Sequence, residues 1–101
     1  MKVKNRQEIE IDFSRAMNQA QEIEELAAHM TQMAMEHTDG TMKLIGSSFM
    51  GDNGKLFSQK ADFARRDMFD TADDLMSLAK TIRQTADIVY RTEKSAIGMF
   101  S

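Results

Sequence analysis

A chain of 101 residues with 13 basic and 16 acidic side chains, net charge −3, is one domain at most and lacks the basic excess of a nucleic-acid binder. It has no cysteine, which excludes a disulfide staple and a thiolate metal site. Its longest stretch free of Asp, Glu, Lys and Arg is the ten residues from Leu26 to Met35, too short to span a bilayer.

The chain starts with the basic run Met1-Lys2-Val3-Lys4-Asn5-Arg6. Gln7-Glu8-Ile9-Glu10-Ile11-Asp12 follows, which is no apolar signal-peptide core. The expectation is a cytoplasmic chain, or one exported by a route that needs no cleaved signal. Glu8 to Asp12 alternates like a strand, but no partner strand exists elsewhere, so residues 1–11 are expected to form an extended lead-in. Asp12 is the expected N-cap of the first helix, because its carboxylate can accept an orphan backbone N–H at the positive helix end.

From Phe13 onward, apolar and small residues recur every three or four positions. The stripe runs Phe13, Ala16, Ala20, Ile23, Ala27, Met30, Ala34, then His37, Thr41 and Leu44, widened by Leu26 and Met33. Alternating steps of three and four are a heptad repeat. One heptad line is alanine at 20, 27 and 34, which lets a partner helix approach closely. Gln21, Glu22, Glu25, Gln32 and Glu36 form the polar face. The pattern predicts helix 1 over about 12–46, with His37 buried or half-buried on the inner stripe.

Ser47-Ser48-Phe49-Met50-Gly51-Asp52-Asn53-Gly54 is small and glycine-containing, and reads as a turn over 47–54. A large aromatic there can wedge across both helix ends, and the glycine lets the backbone turn sharply beside it. Asp52 or Asn53 is the expected cap of helix 2, over about 55–97. Its inner stripe is Ala61, Ala64, Met68, Ala72, Leu75, Leu78 with Ala79, Ile82, Ala86, Val89 and Ala96. Arg91 and Lys94 are expected near its end, where cations suit the helix dipole. Gly98 is the expected stop. With no proline to interrupt either helix, the fold class is all-α: one antiparallel two-helix hairpin domain over 1–101.

A second line on helix 2 runs Phe69, Met76, Arg83, Tyr90, Ile97 at seven-residue spacing, with Phe63 and Ile88 as further large apolar residues; Met35 and Met42 are spaced likewise on helix 1. Apolar lines left over by an isolated hairpin mark a contact surface. Phe63, Phe69, Met76, Tyr90 and Ile97 are therefore the candidate partner interface, and two hairpins side by side would make a four-helix bundle.

No catalytic constellation emerges. His29 and His37, eight apart, point ~80° apart around a helix. The acid pairs Glu24-Glu25 and Asp73-Asp74 diverge and suit a solvated face. Gly46, Gly51 and Gly54 lack the Lys-Ser/Thr ending of a phosphate loop, and no strand precedes them. The expectations are no catalytic residue, no cofactor and no metal.

Two long helices, a chain of about 100 residues and the central Phe49-Met50-Gly51 together resemble the WXG100 (ESAT-6-like) family of type VII secretion proteins. Phe49-Met50-Gly51 sits where that family has Trp-x-Gly, and Phe57 where it often has an aromatic opening the second helix. Val89, Tyr90 and Glu93 lie where members carry an aromatic-x-x-x-acid export signal, and Gly98-Met99-Phe100 resembles the tails of some members. The resemblance covers nearly the whole chain. It departs at two points. Phenylalanine replaces the turn tryptophan. The residue four before Glu93 is Val89, with Tyr90 only three before it, so either pair could form the degenerate motif. The resemblance implies a dimeric, non-enzymatic hairpin that pairs with itself or a paralogous hairpin. It implies secretion without a cleaved signal peptide after a cytoplasmic stage. The turn aromatic and the partner's tail would then form a composite surface read by a secretion ATPase. Two alternatives stand beside it. One is a non-exported chaperone that pairs with the helical N-terminal region of a toxin. The other is a structural coiled-coil adaptor unrelated to secretion.

Overall fold

The computed structural model describes residues 4–48 and 52–100, and the side-chain surroundings of residues 4–37 and 54–99. Two helices, α1 (Arg6–Ser48) and α2 (Asp52–Phe100), pack against each other as a hairpin, and no strand occurs among the described residues. The packing is antiparallel. Moving up α1 from Glu10 to Glu24, the partners on α2 move down from Tyr90 to Arg83.

The α1 helix begins six residues earlier than the sequence pattern places it. Asn5, not Asp12, is the cap. Its Oδ1 accepts the Glu8 backbone N–H at 2.8 Å, and its Nδ2 donates to Glu8 Oε1 at 3.0 Å. This is an asparagine N-cap with glutamate three residues on, in which the glutamate closes on the asparagine side-chain amide. The Ile9 N–H then reaches the Asn5 carbonyl at 3.1 Å. The segment expected to be an extended lead-in is thus helical from Arg6, and its Ile9 is buried. Asp12 lies inside the helix and pairs with Lys4 instead.

The α2 helix begins at Asp52 and runs to Phe100, past both expected ends. Gly54, expected in the turn, is buried within the helix, on the same seven-residue line as Ala61, Met68 and Leu75. Gly98 does not stop the helix. A Cβ at that position would meet nothing within 4 Å, and a helical glycine costs only about 1 kcal/mol. Because α2 continues past them, Arg91 and Lys94 are not in its last turn.

The hairpin divides into two units. One comprises Met1–Glu24 and Met76–Ser101; the other is Glu25–Leu75. In the first, Ile9, Ala20 and Ala79 are buried. Phe13, Ala16, Ile23, Ile82, Ala86 and Ala96 are half-buried around them. In the second, Ala27, Ala34 and Ala72 are buried, flanked by half-buried Met30, Met68, Phe69 and Leu75. Among the described residues, five of the six buried hydrophobic side chains are thus alanines at seven-residue spacing on each helix. Small side chains allow a close helix approach, but they bury little area each, so the larger residues at the seam's edges supply most apolar contact.

The inner stripe read from sequence is too wide. His37 is exposed, as are Leu26, Met33, Ala64, Leu78 and Val89. A pair of helices buries only a narrow seam, and these shoulder residues stay in water. Polar neighbours on the helices support themselves locally. Asp62 pairs with Arg65 and with Arg66 (2.9 Å), and Asp87 with Arg91 at 3.0 Å. In each pair the acid precedes the base, the better orientation in the helix dipole.

Candidate functional site

The tail residues singled out from sequence lie in the first unit, on α2 opposite the start of α1. Positions 90, 93, 94 and 97 follow helical steps of three and four, so they share one face. Tyr90 is half-buried. Its ring centroid is 4.4 Å from that of Phe13 at an interplanar angle of 38°. Its hydroxyl donates to Glu10 Oε1 at 2.7 Å. Lys94 Nζ sits 4.6 Å from the Tyr90 ring centroid and 3.2 Å from the same Glu10 oxygen. One carboxylate therefore receives a phenol and an ammonium, while the ammonium also faces the ring π-cloud.

Glu93, with its side chain 23% exposed, is met by Lys4, whose Nζ is 3.4 Å from Oε2. The same ammonium lies 2.6 Å from Asp12 Oδ2. Val89 is 45% exposed and remains on the surface. Of the three predicted tail residues, the structure therefore engages Tyr90 and Glu93 with α1 and leaves Val89 outward.

The electrostatics follow the geometry. The Tyr90 hydroxyl and then Lys94 hold the Glu10 carboxyl below the usual carboxylate range. The Lys94 ammonium is held above the usual lysine range by Tyr90 first and Glu10 second. Lys4 is raised chiefly by its bond to Asp12, with Glu93 adding to it. Farther along the first unit, Arg83 pairs with Glu24 and reaches Met17 Sδ at 4.0 Å, and its pKa is raised by Glu24.

Arg83 and Tyr90 belong to the line expected to face away from the intramolecular seam. Both instead bridge the two helices, because the residues flanking an antiparallel seam can reach the partner helix from its edge. Of the remaining interface candidates, Phe63 is 65% exposed and Met76 is also exposed, while Phe69 is half-buried. Ile97 is half-buried and lines a cleft with Arg6, Lys94 and Gly98. Leu56 and Met35 in the second unit, and Ile11, Ile88 and Met99 in the first, are further exposed large apolar residues.

Of the turn motif, Phe49 and Gly51 lie outside the described residues, while Phe57 is half-buried on α2. Among the described residues no group of three or more His, Cys, Asp or Glu side chains could hold a metal ion. No helix there is long and apolar enough to cross a membrane. Glu24, half of a sequence-adjacent acid pair, is occupied by Arg83. Sequence reasoning missed Lys4 and Glu10 as partners of the tail. Their only local signal is a charge at the start of one helix opposite charges near the end of the next.

Comparison with protein-family models, with curated proteins and with solved structures finds no match.

Proposed function

We propose that this chain is a non-enzymatic helical hairpin that acts by binding, dimerises, and is exported as a substrate of a type VII secretion system. The observation that carries the reading is the pairing of fold and motif. Two long helices pack as a hairpin, and the three residues that separate Ser48 from Asp52 in the chain are Phe49-Met50-Gly51. That is the aromatic-x-glycine position of the WXG100 proteins the sequence resembles. Support for dimerisation comes from the thin alanine seam and the exposed Phe63, Ile88 and Met99, which the helical period puts on one face of α2. A second hairpin laid on those residues would remove apolar surface that one hairpin leaves in water. Phe49 and Gly51 would supply the turn half of the recognition surface, and Tyr90 with Glu93, or Val89 with Glu93, the tail half. The partners are a second hairpin, its own copy or a paralogue, and the secretion ATPase.

The test is export into culture medium of the intact chain and of Phe49→Ala and Glu93→Ala. The proposal expects both variants to remain folded in the cell and to be depleted from the medium at least tenfold. Export of both at the level of the parent chain would refute the site assignment. Retention of the parent chain itself in the cell, with a toxin bound, would favour the chaperone role. Light scattering tests the dimer: twice the 11.5 kDa chain mass is expected at micromolar concentration, and a stable monomer would contradict it.

A further inference from the structure

We propose that the start of α1 is an autoinhibitory clasp on the tail of α2, which must be released before a partner can read Tyr90 and Glu93. The inference rests on the reading of those two residues as the tail signal. It concerns their availability, which that reading leaves open.

A partner that recognises an aromatic and an acid at this spacing needs the phenol hydroxyl, the ring and the carboxylate. All three are occupied from within the chain. The Glu10 carboxylate accepts the hydroxyl hydrogen bond at 2.7 Å. Phe13 packs on the ring, and Lys94 stands over it. Lys4 stands at the Glu93 carboxylate, 3.4 Å away. Lys4, Glu10 and Phe13 belong to one short segment. That segment is fixed by the Asn5 N-cap and by the burial of Ile9.

The clasp is built to open. Lys4, Asp12, Glu10 and Lys94 each keep more than two fifths of their side-chain surface in water, and exposed ion pairs are individually weak and screened by salt. The large side chains that must leave are Ile9 and Phe13, since the other buried residues of this unit are alanines. A partner offering a cation to Glu93 and an acceptor to the Tyr90 hydroxyl would replace the contacts of Lys4 and Glu10 one for one. Its apparent affinity would be reduced by the fraction of molecules that are closed.

The experiment uses the full chain as Lys4→Met, as Glu10→Gln and as the double variant. Each is followed by amide hydrogen exchange across residues 86–99 and by export into the medium. Tail exchange is expected to rise several-fold in the double variant, with export rising by a similar factor. Unchanged tail exchange would overturn the clasp. Faster exchange with export unchanged or reduced would overturn its inhibitory role. Circular dichroism checks that the helices persist; should the double variant lose helix, Lys4→Met decides, because Lys4 precedes the first residue of α1. A Tyr90→Ala, Glu93→Ala chain separates the two claims. If it is exported like the parent, the tail signal itself is wrong. If it is retained while the clasp variants fail to gain, only the clasp is wrong.

Discussion

The hydroxyl of Tyr90 donates to the carboxylate of Glu10 across 2.7 Å, joining residues 80 positions apart in the chain. The contact sits beside the Phe13–Tyr90 ring pair, so one side chain ties the helices by an aromatic face and by a polar tip. Replacing Tyr90 with leucine keeps apolar bulk and removes both. The aromatic pair alone is worth about 0.5–1.5 kcal/mol beyond its area. Thermal unfolding of Tyr90→Leu should therefore shift down by roughly 4–8 °C per kcal/mol lost, for a domain of this size. An unchanged midpoint would mean that the ring pair contributes nothing.

The alanine seam makes a sharper prediction. Ala79 and Ala27 are buried, whereas Ala28, one residue along, is exposed. Ala79→Leu or Ala27→Leu would force the helices apart, and overpacking of this kind costs about 1–3 kcal/mol. Ala28→Leu should be neutral. Urea unfolding midpoints compare the three directly, and equal midpoints would contradict a close-packed seam.

Gly98 offers a gain. It is helical and exposed, with open space where a Cβ would stand. Gly98→Ala should stabilise by about 0.4–1 kcal/mol, through lower chain entropy in the unfolded state and higher helix propensity. The effect should appear as slower amide exchange in the last turns of α2 and a small rise in midpoint.

Stability should depend on pH at both ends of the scale, with opposite signs. Glu10 is held low by Tyr90 and Lys94, so its contribution is present above the usual carboxylate range and is lost as the pH falls through that range and below it. Lys4 and Lys94 are held high, so theirs is complete below the usual lysine range and is lost as the pH rises through it and above. A plateau in melting temperature between those limits is expected. Glu10→Gln should flatten the acid limb and Lys94→Met the alkaline limb. Both effects should shrink in molar salt, because the groups are exposed.

Much of the fold was legible because helix pairing leaves a periodic trace. The alanines at 20, 27 and 34 and at 72 and 79 announce the seam, and the absence of proline announces unbroken helices. The start of α1 was obscured by the alternation of Glu8 to Asp12. The Asn-x-x-Glu spacing of Asn5 and Glu8 carried the true signal. The outer limit of α2 was missed because glycine at 98 reads as a stop, although an exposed helical glycine merely costs propensity. His37 falls inward only on a stripe wider than two helices can cover, and it is exposed. The site was less legible than the fold. Tyr90 and Glu93 stand out by type and spacing, but Lys4, Glu10 and Phe13 meet them only through antiparallel pairing, which local sequence does not encode.

We propose that this hairpin leaves the cell through a type VII system. The direct measurement is the amount of the untagged chain in culture medium from the native host and from the same strain lacking the secretion ATPase, with a cytosolic protein as lysis control. Accumulation in the medium of the parent strain is expected, with loss of at least tenfold in the deletion strain and the chain retained inside the cells. Equal amounts in the two media, or absence from the parent medium, would contradict it.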